Sequence, residues 1–295
     1  MERETAGRRW SIAAGLGLVA LALGGCSSVG LLNALEPKAG LSISKDVAYG
    51  AGPRRTLDVY RPRSANGAAP VVVFFYGGNW RSGAKSDYVF AGSALARQGY
   101  VVVIPDYRLY PEVLWPDFLE DSAQAVAWAK ANAGRFGGDP GRLVLMGHSA
   151  GAYNASMLTI DRRWLGSVGL DPRRDVRAFV GLAGPYDFLP LQQEALKVIF
   201  GPEDKRPDTQ PINHVDGSAP PMWLATDRGD KVVDPGNTTR LAARVREKGG
   251  TADVRVYSGV NHATMVGALA TPLRFLAPVM KDVRSFIDTH TQARP

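Results

Sequence analysis

Two uninterrupted apolar runs, VVVFFY at 71–76 and YVVVI at 100–104, set the reading of the chain. Unbroken stretches of β-branched and aromatic residues belong to strands covered on both faces, as in a parallel sheet packed between helices. Shorter predicted strands follow at 142–146, 178–182, 222–226 and 254–257, the last interrupted by Arg255. Helical spacing fills the intervals at 88–98, 118–136, 150–160 and 235–248, and again at 273–289, with Gly99 and Gly137-Gly138 as stops. Earlier, 47–50 and 56–61 alternate apolar with polar residues around Gly52-Pro53, which predicts an antiparallel pair at the start of the sheet. Repeated strand–helix alternation predicts one α/β domain over 43–295 with a mostly parallel sheet flanked by helices. Residues 185–220 break the alternation. They carry Pro185, Pro190, Pro202, Pro207, Pro211, Pro220 and Pro221 around one amphipathic segment at 191–199, and predict a small cap or rim insertion.

The first 25 residues do not belong to that domain. Arg8 and Arg9 close a short charged region, and 11–23 is almost wholly apolar. About 13 residues are too few to span a bilayer as a helix but suit the apolar part of a signal peptide. Leu23-Gly24-Gly25-Cys26 resembles the bacterial lipobox, which implies lipidation at Cys26 and a tether over 26–42. The expectation is an exported, membrane-anchored bacterial lipoprotein, facing the periplasm or held in the outer membrane if the cell is Gram-negative. Cys26 is the only cysteine of the chain, so no intramolecular disulfide is expected.

The chain has 295 residues, 45% hydrophobic and 21% charged, an ordinary globular composition that excludes a disordered or fibrous protein. Its formal charge is +7. The cations are scattered, with pairs such as Arg162-Arg163 and Arg173-Arg174 but no long block, so a solvated basic surface is expected and no nucleic-acid partner.

Gly147-His148-Ser149-Ala150-Gly151 is G-x-S-x-G between a predicted strand and a predicted helix, a context in which the turn pushes the serine hydroxyl clear of the sheet. A serine hydroxyl needs a neighbouring base, itself oriented by a third group. Of the four histidines, His148 sits inside the turn with its side chain expected to point away from Ser149. His214 falls in the proline-rich insertion and His290 at the C-terminus. His262, in the loop after the last predicted strand, is assigned as the base. The acid comes from the loop after strand 222–226, which holds Asp227, Asp230 and Asp234; Asp234 also suits a cap for the helix beginning at Pro235. One amide for an oxyanion follows the nucleophile at Ala150. Others are expected from the glycine loop Tyr76-Gly77-Gly78-Asn79-Trp80.

At these residues the chain resembles the α/β-hydrolase superfamily, in the esterase/lipase group related to hormone-sensitive lipase and the kynurenine formamidases, BD-FAE-like carboxylesterases included. Tyr76-Gly77-Gly78-Asn79-Trp80 is similar to the group's His-Gly-Gly-x-Trp. Asp106-Tyr107-Arg108-Leu109, Pro111, Pro116, Asp121 and Trp128 match its central segment, and Asp230-Lys231-Val232-Val233 matches its Asp-x-x-Val. The resemblance spans about residues 45–290. It implies an eight-stranded sheet, neither metal nor organic cofactor, and a triad of Ser149, Asp230 and His262. It also implies oxyanion donors at Gly78, Asn79 and Ala150 with Gly77 close behind, and a substrate pocket at Gly77, Trp80 and Tyr186. Asp106, Arg108 and Asp187 are read as paired structural charges. Tyr76 replaces the group's loop-organising histidine, which weakens a formamidase reading more than an esterase one. The expected activity is hydrolysis of small to medium carboxylic esters through an acyl-enzyme. The alternatives are an arylformamidase-like amide hydrolase and a non-catalytic binding lipoprotein on the same fold.

Overall fold

The computed structural model describes residues 28–65 and 69–292. Its eight strands are β1 (Leu41–Ala48), β2 (Thr56–Pro62), β3 (Ala69–Phe75), β4 (Val101–Pro105), β5 (Gly138–His148), β6 (Ala178–Leu182), β7 (Met222–Asp227) and β8 (Ala252–Tyr257). They form one sheet in the order β1-β2-β4-β3-β5-β6-β7-β8. β2 runs antiparallel to both neighbours, and every pair from β4 to β8 is parallel. The two apolar runs lie side by side as β3 and β4, and Val71 to Phe75 are fully buried because helices cover both faces.

The helices are α1 (Ser28–Leu35), α2 (Val89–Ala96), α3 (Asp117–Asn132), α4 (Ala150–Ile160), the short α5 (Arg162–Gly166) and α6 (Pro172–Asp175), α7 (Glu194–Ile199), α8 (Gly236–Glu247), α9 (His262–Gly267) and α10 (Val279–His290). Among the described residues no helix is long and apolar enough to cross a membrane. The helix expected at 118–136 ends instead at Asn132 and tightens into a 3-10 turn closed by Gly137 at φ 80°. The helix expected at 273–289 starts only at Val279, since Pro278 lacks the amide proton that a helix through it would donate to the Arg274 carbonyl. The insertion at 185–220 carries α7 and two 3-10 segments and contributes no strand.

The expected tether is corrected over its described part. Residues 28–35 form α1, and β1 begins at Leu41 rather than after residue 42. Polar contacts dock α1: the Asn33 amide donates to the Ser86 carbonyl at 2.9 Å while its oxygen accepts from the Phe90 amide at 2.8 Å. Just beyond the helix, buried Glu36 accepts from the Thr271 amide at 2.6 Å. An eight-residue helix is too short to stand on its own propensity, so docking sustains it. The leader at 1–25 and Cys26 lie outside the described residues.

The central segment is held by charge. Asp121 on α3 is wholly buried and accepts a two-pronged guanidinium contact from Arg108 at 2.8 and 2.9 Å. It also takes the Arg108 amide at 3.0 Å and Arg55 at 3.0 Å. One carboxylate thereby joins the start of β2, the chain leaving β4, and α3. Removing it strands two guanidinium groups against the fold. Asp121→Ala is expected to lower the unfolding free energy in urea by about 3 kcal/mol, with Asp121→Asn losing less.

Candidate active site

Ser149 stands between β5 and α4 with φ 55° and ψ −125°, a backbone conformation that side chains rarely adopt. Two glycines hold it there. A Cβ on Gly147 would meet the Gly151 carbonyl oxygen at 2.3 Å, and one on Gly151 would meet the Phe75 carbonyl oxygen at 2.1 Å. The turn is therefore pressed onto the end of β3, and the Ser149 amide donates to the Leu182 carbonyl of β6 at 2.9 Å.

His262 reaches Ser149 from the far edge of the sheet. It is the first residue of α9, not part of a loop as expected, and Asn261 caps that helix by accepting from the amides of Ala263 and Thr264. Its Nε2 is 2.9 Å from Ser149 Oγ and its Nδ1 is 2.7 Å from Asp230 Oδ2. A carboxylate only accepts, so Nδ1 carries the proton and Nε2 offers its lone pair to the serine hydroxyl. Asp230 Oδ1 accepts from the amides of Val232 and Val233 at 2.8 and 3.0 Å. Burial pushes the Asp230 carboxyl up, but the His262 contact and the two amides outweigh it and hold the group below the usual carboxylate range. The other two acids are elsewhere. Asp227 accepts from the Gly229 amide, and Asp234 from the Gly236 amide at the start of α8.

The glycine loop faces Ser149. Gly78, Asn79 and Trp80 all have positive φ, at 140°, 53° and 56°, and the amides of Gly78 and Asn79 make no hydrogen bond among the described residues. Ala150, the first residue of α4, has an amide with no partner inside the helix. Trp80 anchors the strained loop: its Nε1 donates to Asn154 Oδ1 at 2.9 Å, and its ring packs on Phe118, Tyr153, Phe188 and Phe200. Ser149, Asn79 and Trp80 open onto a cleft of about 360 Å³ walled by Phe188, Leu191 and Leu196 of the insertion.

Two expected pocket residues are not in that cleft. Tyr186 is fully buried, its ring turned down onto Gly181 and Gly184, where any Cβ would collide with it. The Tyr186 amide is spent on Asn237 Oδ1, and Phe188 supplies the aromatic wall instead. Gly77 lies behind Ser149, and its amide donates to the Tyr88 hydroxyl at 3.3 Å, so it is not free to bind another acceptor. Tyr76 is also buried. Its hydroxyl donates to Asp106 at 2.9 Å and accepts from Arg54 at 2.8 Å, which aims it away from Ser149. Asp187 pairs with Arg240. His214 is bound to the Asp208 carbonyl, and His290 packs on Phe286. Among the described residues no cluster of His, Cys, Asp and Glu could hold a metal ion.

His148 carries more than its position in the turn suggested. Its ring leaves Ser149, as expected, but lies 4.9 Å from the His262 ring, with Nε2 3.0 Å from the His262 carbonyl and Nδ1 3.2 Å from the Tyr88 hydroxyl. Nothing in the linear pattern pairs residue 148 with 262 or 88. Behind His148 and Tyr88, under α1, lies a second cavity of about 380 Å³ with apolar walls, which touches neither Ser149 nor His262.

The frame has close counterparts among solved structures. EstE1, a thermostable carboxylesterase cloned from a metagenomic library, superimposes with a TM-score of 0.74 at 21% identity, covering 89% of this chain and 94% of that one. The Pyrobaculum calidifontis esterase gives 0.72 at 24% identity, covering 94% and 98%. Both show the same fold. The isoprenylcysteine alpha-carbonyl methylesterase ICME of Arabidopsis thaliana is 29% identical over 252 residues, covering 79% of this chain and 58% of that protein. Esterase LipC of Mycobacterium tuberculosis is 30% identical over 220 residues, covering 68% and 54%. The chain thus spans little more than half the length of these curated relatives. A family model described as BD-FAE matches residues 57–245.

Burial pushes the His148 imidazole down to about 3, with the nearby His262 as a lesser cause. The folded protein therefore keeps it neutral where the unfolded chain, titrating near 6.5, takes up a proton. Between those two values the unfolded state binds more protons, so stability falls as pH falls. From pH 7 to pH 5, wild type is expected to lose up to about 2 kcal/mol more than His148→Gln in parallel urea titrations.

Proposed function

The chain belongs to the BD-FAE family, and from that premise we propose that it is a serine hydrolase of carboxylic esters working through an acyl-enzyme. The observation that carries this reading is the continuous chain Ser149–His262–Asp230, at 2.9 and 2.7 Å, with Ser149 opening onto the same cleft as Asn79; among the described residues the amides of Gly78, Asn79 and Ala150 are available as donors. Ser149 Oγ attacks the ester carbonyl carbon while its proton passes to His262 Nε2. The carbonyl oxygen takes the electron pair as an oxyanion, held by the three amides. Asp230 steadies the imidazolium. The pair then returns, the alkoxy oxygen leaves with the proton from Nε2, and the acyl group stays on Ser149. Water repeats the sequence, giving its proton to His262 as it attacks, and the acid departs as Ser149 recovers its hydrogen.

A cleft of about 360 Å³ sits near the small end of the range for ligand sites, which favours small to medium acyl groups. The methylesterase and esterase activities named for the relatives agree with an ester bond as the target. Ser149→Ala is expected to lower kcat on p-nitrophenyl acetate by about 1,000-fold or more and to abolish labelling by a fluorophosphonate probe. Wild-type turnover in that variant would sink the reading.

Location is a separate proposal carried by the leader. Arg8-Arg9, the apolar 11–23 and Leu23-Gly24-Gly25-Cys26 support export, cleavage before Cys26 and a lipid anchor there. Metabolic labelling with alkynyl palmitate in a bacterial host is expected to tag the wild-type chain in the membrane fraction. Cys26→Ser should be untagged and released.

A further inference from the structure

We propose that Tyr88 and His148 form a positioning bridge that ties the oxyanion loop to the base His262, so that the two halves of the site are set against each other through the residue before the nucleophile. The proposal rests on the reading of Ser149 and His262 as the reacting pair. Its geometry is a run of three contacts: the Gly77 amide to the Tyr88 hydroxyl at 3.3 Å, that hydroxyl to His148 Nδ1 at 3.2 Å, and His148 Nε2 to the His262 carbonyl at 3.0 Å.

The direction of every proton in this run is determined. A carbonyl oxygen only accepts, so His148 Nε2 carries the hydrogen and donates it to His262. The neutral ring then has a lone pair at Nδ1, which only the Tyr88 O–H can fill. With its hydrogen committed, the Tyr88 oxygen accepts from the Gly77 N–H. No alternative arrangement leaves all four groups satisfied.

Its placement gives the run a catalytic consequence. Gly77 directly precedes Gly78 and Asn79, the donors assigned to the oxyanion in the proposed reaction, and the His262 carbonyl belongs to the residue that carries the base. The two ends come from opposite sides of β5, and the bridge crosses at His148. The Tyr88 ring is itself fixed, stacked on Tyr76 at 5.9 Å and Phe90 at 5.6 Å. Reacting groups must hold their places to within a fraction of an ångström, so slack between base and oxyanion donors falls on kcat. Neutrality matters as well. A positive charge on His148, with its ring 4.9 Å from that of His262, would oppose the imidazolium that forms there during turnover.

The test is steady-state kinetics on p-nitrophenyl acetate with full-chain variants. Tyr88→Phe keeps the ring and removes the oxygen. It is expected to lower kcat about tenfold and leave KM within about twofold, a split that a general loosening of the fold would not give. His148→Gln retains a donor for the His262 carbonyl and an acceptor for Tyr88, and should keep several-fold more activity than His148→Leu. Because the bridge acts as one unit, Tyr88→Phe combined with His148→Leu should be no slower than the slower single variant. Wild-type kcat in Tyr88→Phe, equal losses in the Gln and Leu variants, or multiplied losses in the double variant would each overturn the bridge. Absence of Ser149-dependent turnover in the unaltered protein would overturn the underlying reading with it.

Discussion

A side chain on Gly151 would have to stand 2.1 Å from the carbonyl oxygen of Phe75, and on that near-contact of two backbones the rest of the site depends. β3 and β5 pair in parallel with Phe75 opposite Gly147, so their chains leave the sheet at the same level. Neither can shift without driving one main chain into the other. The glycine loop and the serine turn are therefore one rigid object, and the unusual backbone angles of Asn79, Trp80 and Ser149 are held by packing below them. His262 and Asp230 come from the more distant β8 and β7 ends and are brought to this object by caps and amide contacts.

The centre of the sheet was legible because β3, β4, β6 and β7 are buried on both faces, and continuous apolar runs say so without help from neighbours. Ser149 was legible for a related reason: glycines at 147 and 151 on either side of a serine, between strand and helix, announce a turn that few other uses require. His262 followed from its place after the last strand. Asp230 did not follow from the residues alone, since Asp227 and Asp234 sit in the same loop and only the Asp-x-x-Val resemblance separated them. Its two short contacts to the Val232 and Val233 amides are the physical content of that spacing.

What the pattern concealed depends on contacts between distant segments. Tyr186 reads as a wall of the pocket until Gly181 and Gly184 are seen to make room for its ring beneath the surface. Gly77 reads as an oxyanion donor until Tyr88 takes its amide. The helix at 28–35 has no strong periodicity and is held by Asn33 together with packed Leu32. Tyr76, which departs from the usual histidine, proves to be part of a buried hub with Asp106 and Arg54 that fixes the root of the loop, while the Gly78 and Asn79 amides make no hydrogen bond among the described residues. Long-range polar partners are chosen by the fold, so single-chain patterns carry no trace of them.

The docking of α1 has a consequence for how an anchored molecule would search. Ser28 is two residues from Cys26, and two residues reach roughly 7 Å at full stretch. With lipid at Cys26, the domain would have almost no leash. It could not swing out into the surrounding fluid to meet dissolved molecules at a distance, but would patrol a thin layer against the membrane. Its encounters would be confined to two dimensions, and what it meets there would depend on how molecules partition to that layer.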